Sequence, residues 1–331
     1  LSFPALLFAL AAPRRGVDLA RLRLRAIEGA SLVELASIAR VPMWVRKLAP
    51  ETFVRPIPDL PDGEFFRKQV GNHLPRTAKI APDWLRTIGL MHECGDEMPA
   101  LWAAREVNVH ALRQRSGRWR DSYRLIALWA WYRARPDLDD AHAPAKAWDM
   151  TMNFKTAMSA AWAWRSSMQA NFVFADSRIT NLWFKPAYIE GYDFVPVTCI
   201  EELRHEADAM RNCVVAYASS LVTGDARLWS MRRNGERIAT LSLGVPRASL
   251  LPTVTEIKLA GNDYPSKELW LVAQRWLLSH DVAAFDVPES LDEAHFDRAA
   301  WQRQWKPYWF ARKRIPRWLP VLPSSRALEA I

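Results

Sequence analysis

The sequence predicts an α+β protein: a helical N-terminal half, then a small antiparallel-sheet core with a packed helix, then a basic aromatic C-terminal tail. Three observations predict this. Residues up to about 170 carry apolar side chains at mixed helical spacing, punctuated by Pro near helix starts. After about Asn171 the pattern shifts to short β-prone runs and includes Asn234-Gly235, the favoured two-residue hairpin turn. From Arg298 through Leu328 there is no Asp or Glu, while cations and aromatics alternate. The expected divisions are 1–170, a helical domain; 171–290, the α+β core; and 291–331, the tail.

The helical half reads in order as follows. Leu1 to Ala12 is an apolar run too short to span a bilayer and without a basic n-region, so a packed N-terminal helix is expected over a signal remnant. Ser31 and Glu34 form a capping box. The segment Ser31 to Leu48 has the outline of a helix-turn-helix, with Val45, Arg46 and Lys47 on the second helix. Arg40 in place of the usual turn Gly, and the bulk of Trp44, favour an ordinary helical hairpin. Pro56, Pro58 and Pro61 mark a loop. Tyr123 to Tyr132 is an apolar helix, 136–144 a polar linker, and Ala147 to Met168 a Trp- and Met-rich helix. Phe172–Phe174, Leu182–Phe184 and Tyr192–Val197 read as strands.

Composition narrows the partners and the compartment. Net charge is +9, with 45 Lys and Arg, which favours nucleic acid or another anionic surface as partner. The 17 Trp belong mostly to cores and helix packing, though Trp also stacks on bases and builds protein-binding surfaces, so a protein partner is a further expectation. Three Cys without a CxxC pair point to a reducing, cytoplasmic setting with free thiols. No zinc-ligand spacing, Gly-rich phosphate loop or nucleophile elbow occurs, so neither a metal nor a cofactor is expected. No membrane span is expected either.

In the core, Thr198 is expected to cap a helix with Glu201 and Glu202 in its first turn. Met210, Cys213 and Tyr217 at i, i+3, i+7 are expected on one face of that helix. Counting outward from Asn234-Gly235 pairs Arg232 with Arg237, Met231 with Ile238 and Trp229 with Thr240. Trp229, Met231, Ile238 and Thr240 then share an apolar face, opposite Arg232, Arg237 and Leu243. A third strand, Thr253 to Ala260, adds Glu256 and Lys258 to the polar face. The helix is expected on the apolar face, burying Cys213.

The run Cys213-Val-Val-Ala-Tyr217, the strand Ala239-Thr240-Leu241 and the turn Gly261-Asn262 resemble, in that order, the core of the PcfJ-like family. That family is tied to conjugative and other mobile elements. The resemblance covers roughly residues 171–290. It departs at Lys258, where the family often shows Gln.

Three functions remain open on the sequence. The first is a mobile-element accessory protein that binds nucleic acid through Arg303, Trp305, Lys306, Trp309, Arg312, Lys313, Arg314 and Arg317, which combine phosphate contact with base stacking. The opposing expectation for this run is a tail that docks its Trp and leaves its cations wet. Pro307 and Pro316 are expected to prevent a long amphipathic helix there. The second function is an enzyme acting on a nucleotide or nucleic acid, with candidate catalytic residues Cys213, Tyr217, Arg232, Glu256 and Asn262. Cys213 would be a nucleophile, and Arg232 with Glu256 an anion-binding and acid/base pair. The third is a Trp-rich protein-interaction scaffold.

Overall fold

The computed structural model describes residues 2–14, 16–110, 119–135, 147–174, 178–222, 224–246, 251–281 and 297–312. It is an α+β protein whose contacts form two compact units, one holding the described residues up to Trp162 and the other those from Ala163. The expected linker at 136–144 lies outside the described residues.

The first unit is helical: α1 (Pro4–Ala11), α2 (Leu19–Ile27), α3 (Leu32–Ala39), α4 (Glu64–Val70), α5 (Ala81–Cys94), α6 (Glu97–His110), α7 (Trp119–Arg133) and the start of α8 (Phe154–Phe174). Polar caps set several starts. Asp18 accepts from the Arg21 N–H, Ser31 from Glu34 and Asn153 from Thr156. α8 therefore begins at Phe154, later than the apolar pattern implied, and its own first N–H donates to the buried Glu106. α1 buries Phe3, Ala5, Leu6 and Ala9, as a packed helix should.

The helix-turn-helix outline resolves into something else. α3 ends at Arg40 in the left-handed region (φ 52), and the second element is a single 3₁₀ turn, Met43–Lys47. Its Trp44 and Val45 are buried, and the Trp44 indole donates to the Pro61 carbonyl. Arg46 and Lys47 are exposed, but a single five-residue 3₁₀ turn is too short to serve as a recognition helix. Trp84 and Trp102 likewise donate to the Ala104 and Met152 carbonyls, which ties loops and neighbouring helices to the core.

The second unit contains an antiparallel meander, β1 (Ala187–Ile189), β2 (Tyr192–Val197), β3 (Ala226–Arg233), β4 (Glu236–Gly244) and β5 (Thr253–Lys258), in that spatial order. Phe172–Phe174 is the last turn of α8, not a strand. Helices α9 (Ile200–Met210), α10 (Ala218–Val222), α11 (Lys267–Leu278) and α12 (Arg298–Arg312) complete the unit, with 3₁₀ turns at Val214–Tyr217 and Ala260–Asn262.

The hairpin register departs from simple counting. Arg232 does face Arg237, but a bulge follows, so Met231 faces Ala239, Ser230 faces Thr240 and Trp229 faces Leu241. One extra residue on β4 flips everything beyond it to the opposite face. Trp229, Met231, Ala239, Leu241 and Leu243 now share the apolar face with Ile257, and α11 covers them through Leu269, Val272, Ala273 and Trp276. The Trp276 ring stacks on Phe194 at 4.5 Å. Thr240 and Leu243 have exchanged faces relative to expectation. The other face carries Ser230, Thr240 and Ser242 on β3 and β4, with Glu256 and Lys258 on β5. α9 and α10 pack over it, joining Leu203, Val214 and Leu221 to Val197 and Leu228.

The C-terminal tail begins as a helix. α12 runs through Pro307 without interruption, contrary to expectation. A single Pro costs one N–H bond and a ring clash, and burial of Trp301, Trp305 and Tyr308 offsets that cost. Trp305 meets Trp164 of α8 edge-on at 6.4 Å.

Candidate functional site

α9 ends where Arg211 takes the left-handed conformation (φ 47). The chain turns there, so Met210, Cys213 and Tyr217 do not share a helix. Cys213 precedes a separate 3₁₀ turn and is exposed, where burial was expected. Val214, the next residue, takes the buried position in the cluster on this face instead.

A buried carboxylate fixes this segment to the sheet. Glu206 of α9 is only 1% exposed. One of its oxygens accepts from Arg237 Nε at 2.8 Å, the other from Thr240 Oγ1 at 2.7 Å. Thr240 in turn accepts from Asn212 Nδ2 at 3.0 Å. The chain Arg237–Glu206–Thr240–Asn212 thus runs from the hairpin through α9 and β4 to the residue before Cys213. An ion pair this enclosed holds only with its remaining lone pairs occupied, and Thr240 supplies that contact.

Beside it lies a more open network. Tyr217 Oη donates to Glu256 Oε2 at 2.8 Å, and Lys258 Nζ stands 3.5 Å from the other Glu256 oxygen. Burial, and then the Glu256 carboxylate beside it, push the Tyr217 phenol up to about 12. Lys258 Nζ also sits 4.2 Å from the ring centroid of Tyr264. On the other flank, Cys213 Sγ donates to Asn262 Oδ1 at 3.7 Å. Asn262 is positioned by a left-handed pair, Gly261 (φ 71) and Asn262 itself (φ 65), a geometry that Gly and Asn tolerate best.

The structure therefore joins four of the five candidate catalytic residues as two contacting pairs, Tyr217 with Glu256 and Cys213 with Asn262. Arg232 is apart. It bonds Ser230 Oγ at 3.1 Å on β3, two strands from Glu256 and four residues along from Leu228, the β3 residue level with it. The expected Arg232–Glu256 acid/base pair does not form. Among the described residues the hydrogen bond of Cys213 runs to Asn262, and none links it to His205, exposed on α9. Sequence reasoning missed Glu206, Asn212 and the role of Thr240. The available signal was Glu206 between Leu203 and Met210, a carboxylate on an otherwise apolar helical stripe.

Of the candidate nucleic-acid residues, Arg303 and Lys306 are exposed, Trp309 and Arg312 are half-buried, and Trp305 is buried. Trp305 packs the helix and shows no face to a base. Lys313, Arg314 and Arg317 lie outside the described residues. Among the described residues no cluster of three or more His, Cys, Asp or Glu forms a metal site, and no helix is long and apolar enough to cross a membrane.

Two measurements check this geometry. An aromatic disulfide reagent should titrate Cys213 quickly and Cys94 and Cys199 only on unfolding, because only Cys213 is exposed. Fast reaction persisting in Cys213→Ser would contradict the placement. In ultraviolet absorbance titration, Tyr217 should ionise near pH 12 rather than near 10, and earlier in Glu256→Gln. Because its folded pKa is raised, the stability it contributes is complete below about pH 10, the unfolded value, and lost as pH climbs through about 12. An unchanged tyrosine titration in Glu256→Gln would exclude the contact.

No family model, curated protein or solved structure matches this chain.

Proposed function

We propose that the protein binds nucleic acid electrostatically, as a cytoplasmic accessory protein of the PcfJ-like, mobile-element kind. The observation that carries this reading is α12. Its buried Trp301, Trp305 and Tyr308 anchor the helix, which leaves Arg303 and Lys306 on the outside of a fixed element. The acid-free sequence from Arg298 through Leu328 and the net charge of +9 support the same reading. Truncating the tail is a poor test, since it strips three buried aromatics from the second unit. Charge reversal is cleaner. Arg303→Glu with Lys306→Glu should weaken binding to labelled DNA and RNA and lower the slope of log affinity against log salt by about 2. Equal binding and equal slope in the variant would overturn the role of α12. Absence of wild-type binding at low salt would overturn the function.

A second reading, an enzyme acting on a nucleotide or nucleic acid, is favoured by the convergence of Tyr217, Glu256, Cys213 and Asn262. In it Glu256 accepts a proton, Tyr217 remains a neutral donor, and Asn262 orients the substrate. The test is product formation from nucleoside triphosphates and from labelled DNA or RNA. Turnover by the wild type should fall about 100-fold or more in Glu256→Gln. Turnover unaffected by that change would remove the site from the chemistry, and no wild-type turnover on any of these substrates would remove the reading. The scaffold alternative expects exposed aromatic patches. Most Trp side chains of described burial are instead interior, while Trp162 is exposed.

A further inference from the structure

Tyr264 is out of place for a large aromatic. It is 79% exposed, whereas Trp229, Trp276 and Phe194 of the same unit are enclosed. It is also held firmly. The Leu259 N–H donates to the Asp263 carbonyl at 3.0 Å and closes the turn, and the Tyr264 N–H donates to Asp263 Oδ1 at 2.9 Å. Pro265 and then Ser266, the N-cap of α11, follow directly. The ring thus stands on a short rigid link between a closed turn and a capped helix, so little ordering remains to be done when something stacks on it.

Its surroundings are those of a base-contacting site. Lys258 Nζ lies 4.2 Å from the ring centroid, and Lys258 is itself held 3.5 Å from Glu256. A cation against one face of an aromatic leaves the opposite face for a planar ligand. Two residues before Tyr264, the exposed Asn262 uses Oδ1 to accept from the Cys213 thiol. Its amide stands on the same closed turn that leads into Tyr264. A stacking face and an adjacent amide are what an unpaired base requires. The charges argue for the base over the phosphate. Glu256, Asp263 and Glu268 offset Lys258 and Lys267 in this stretch, so little net charge is available for backbone neutralisation.

Resting on the nucleic-acid reading above, we infer that the turn Asn262–Tyr264 with Lys258 is a nucleobase site for single-stranded nucleic acid: Tyr264 stacks on the base and Asn262 bonds its edge. The phosphate contacts come from elsewhere on the chain, so this site contributes affinity that depends little on salt. A duplex keeps its bases stacked and gains nothing from it.

The experiment uses the full chain with fluorescent single-stranded oligonucleotides of about 12 residues, a length within the range one such surface covers, and with the matching duplex, over a salt series. The variants are Tyr264→Ala and Tyr264→Phe, both at an exposed position, with thermal unfolding to confirm the fold. Tyr264→Ala should lose about ten-fold or more in single-strand affinity with an unchanged salt slope and unchanged duplex binding. Tyr264→Phe should stay close to wild type. If the wild type binds single strands and Tyr264→Ala binds equally well, the inference is overturned while the electrostatic reading stands. If the salt slope falls along with affinity, or if duplex binding falls equally, stacking is overturned as the contribution of Tyr264. If the wild type binds no nucleic acid, the parent reading has failed, and this one with it.

Discussion

The arrangement of the second unit depends on Glu206. A carboxylate removed from water costs several kcal/mol unless its partners are close and complete. Arg237 and Thr240 are both within 2.8 Å, and they come from the same strand. That makes the interaction a locating device as well as a compensated charge. α9 can slide neither along β4 nor around its own axis without separating one of the two contacts. Because Thr240 also bonds Asn212, the constraint passes beyond the helix into the left-handed break at Arg211. The exposed position of Cys213 and the reach of Tyr217 toward Glu256 both follow from where that break is held.

Glu206 finds Thr240 only because of the bulge in the β3–β4 hairpin. Without the extra residue, Thr240 would lie with Trp229 under α11, as counting from Asn234-Gly235 implies. Its hydroxyl would then sit in the apolar core, and Glu206 would face Ala239 or Leu241. The bulge sorts β4 into an apolar face with Ala239, Leu241 and Leu243, and a polar face with Thr240 and Ser242. Two helical layers of different chemistry can then cover one small sheet. α11 brings Trp276 and aliphatics to one side. α9 and the following turn bring a carboxylate, an amide and a phenol to the other.

The α+β class, the helical start, the hairpin turn and the strand from Thr253, expected to Ala260 and ending at Lys258, were legible because each rests on a local period or a turn residue. The site was legible as a set of residue types but not as an arrangement. Cys213 and Tyr217 look like one helical face when no sign of the break is read, and Arg211 in the left-handed region is an uncommon choice that propensity does not announce. The bulge leaves no mark in the alternation of Arg237, Ile238 and Ala239. Arg232 and Glu256 were paired because both were counted onto the polar face, whereas β4 lies between their strands. The helix-turn-helix outline failed for a related reason: apolar spacing cannot tell a 3₁₀ turn with a buried Trp44 from the start of a longer helix. α12 survives Pro307 because tertiary burial outweighs a local penalty that sequence rules weigh alone.

Aromatics and cations alternate in the tail, and from sequence both seemed available to one ligand. Folding separates them. Trp301, Trp305 and Tyr308 turn inward to hold α12, while Arg303 and Lys306 stay outside with the exposed Phe310 and the half-buried Trp309. Three of the rings that sequence offered for stacking are therefore spent on packing. A more exposed aromatic stands at another place in the chain. Tyr264 has the exposure that Trp305 lacks, and the rigidity of a turn closed by Asp263. It also lies beside the polar residues that a base edge could use. Affinity driven by charge and recognition driven by stacking would then be carried by separate elements, one sensitive to salt and the other nearly indifferent to it.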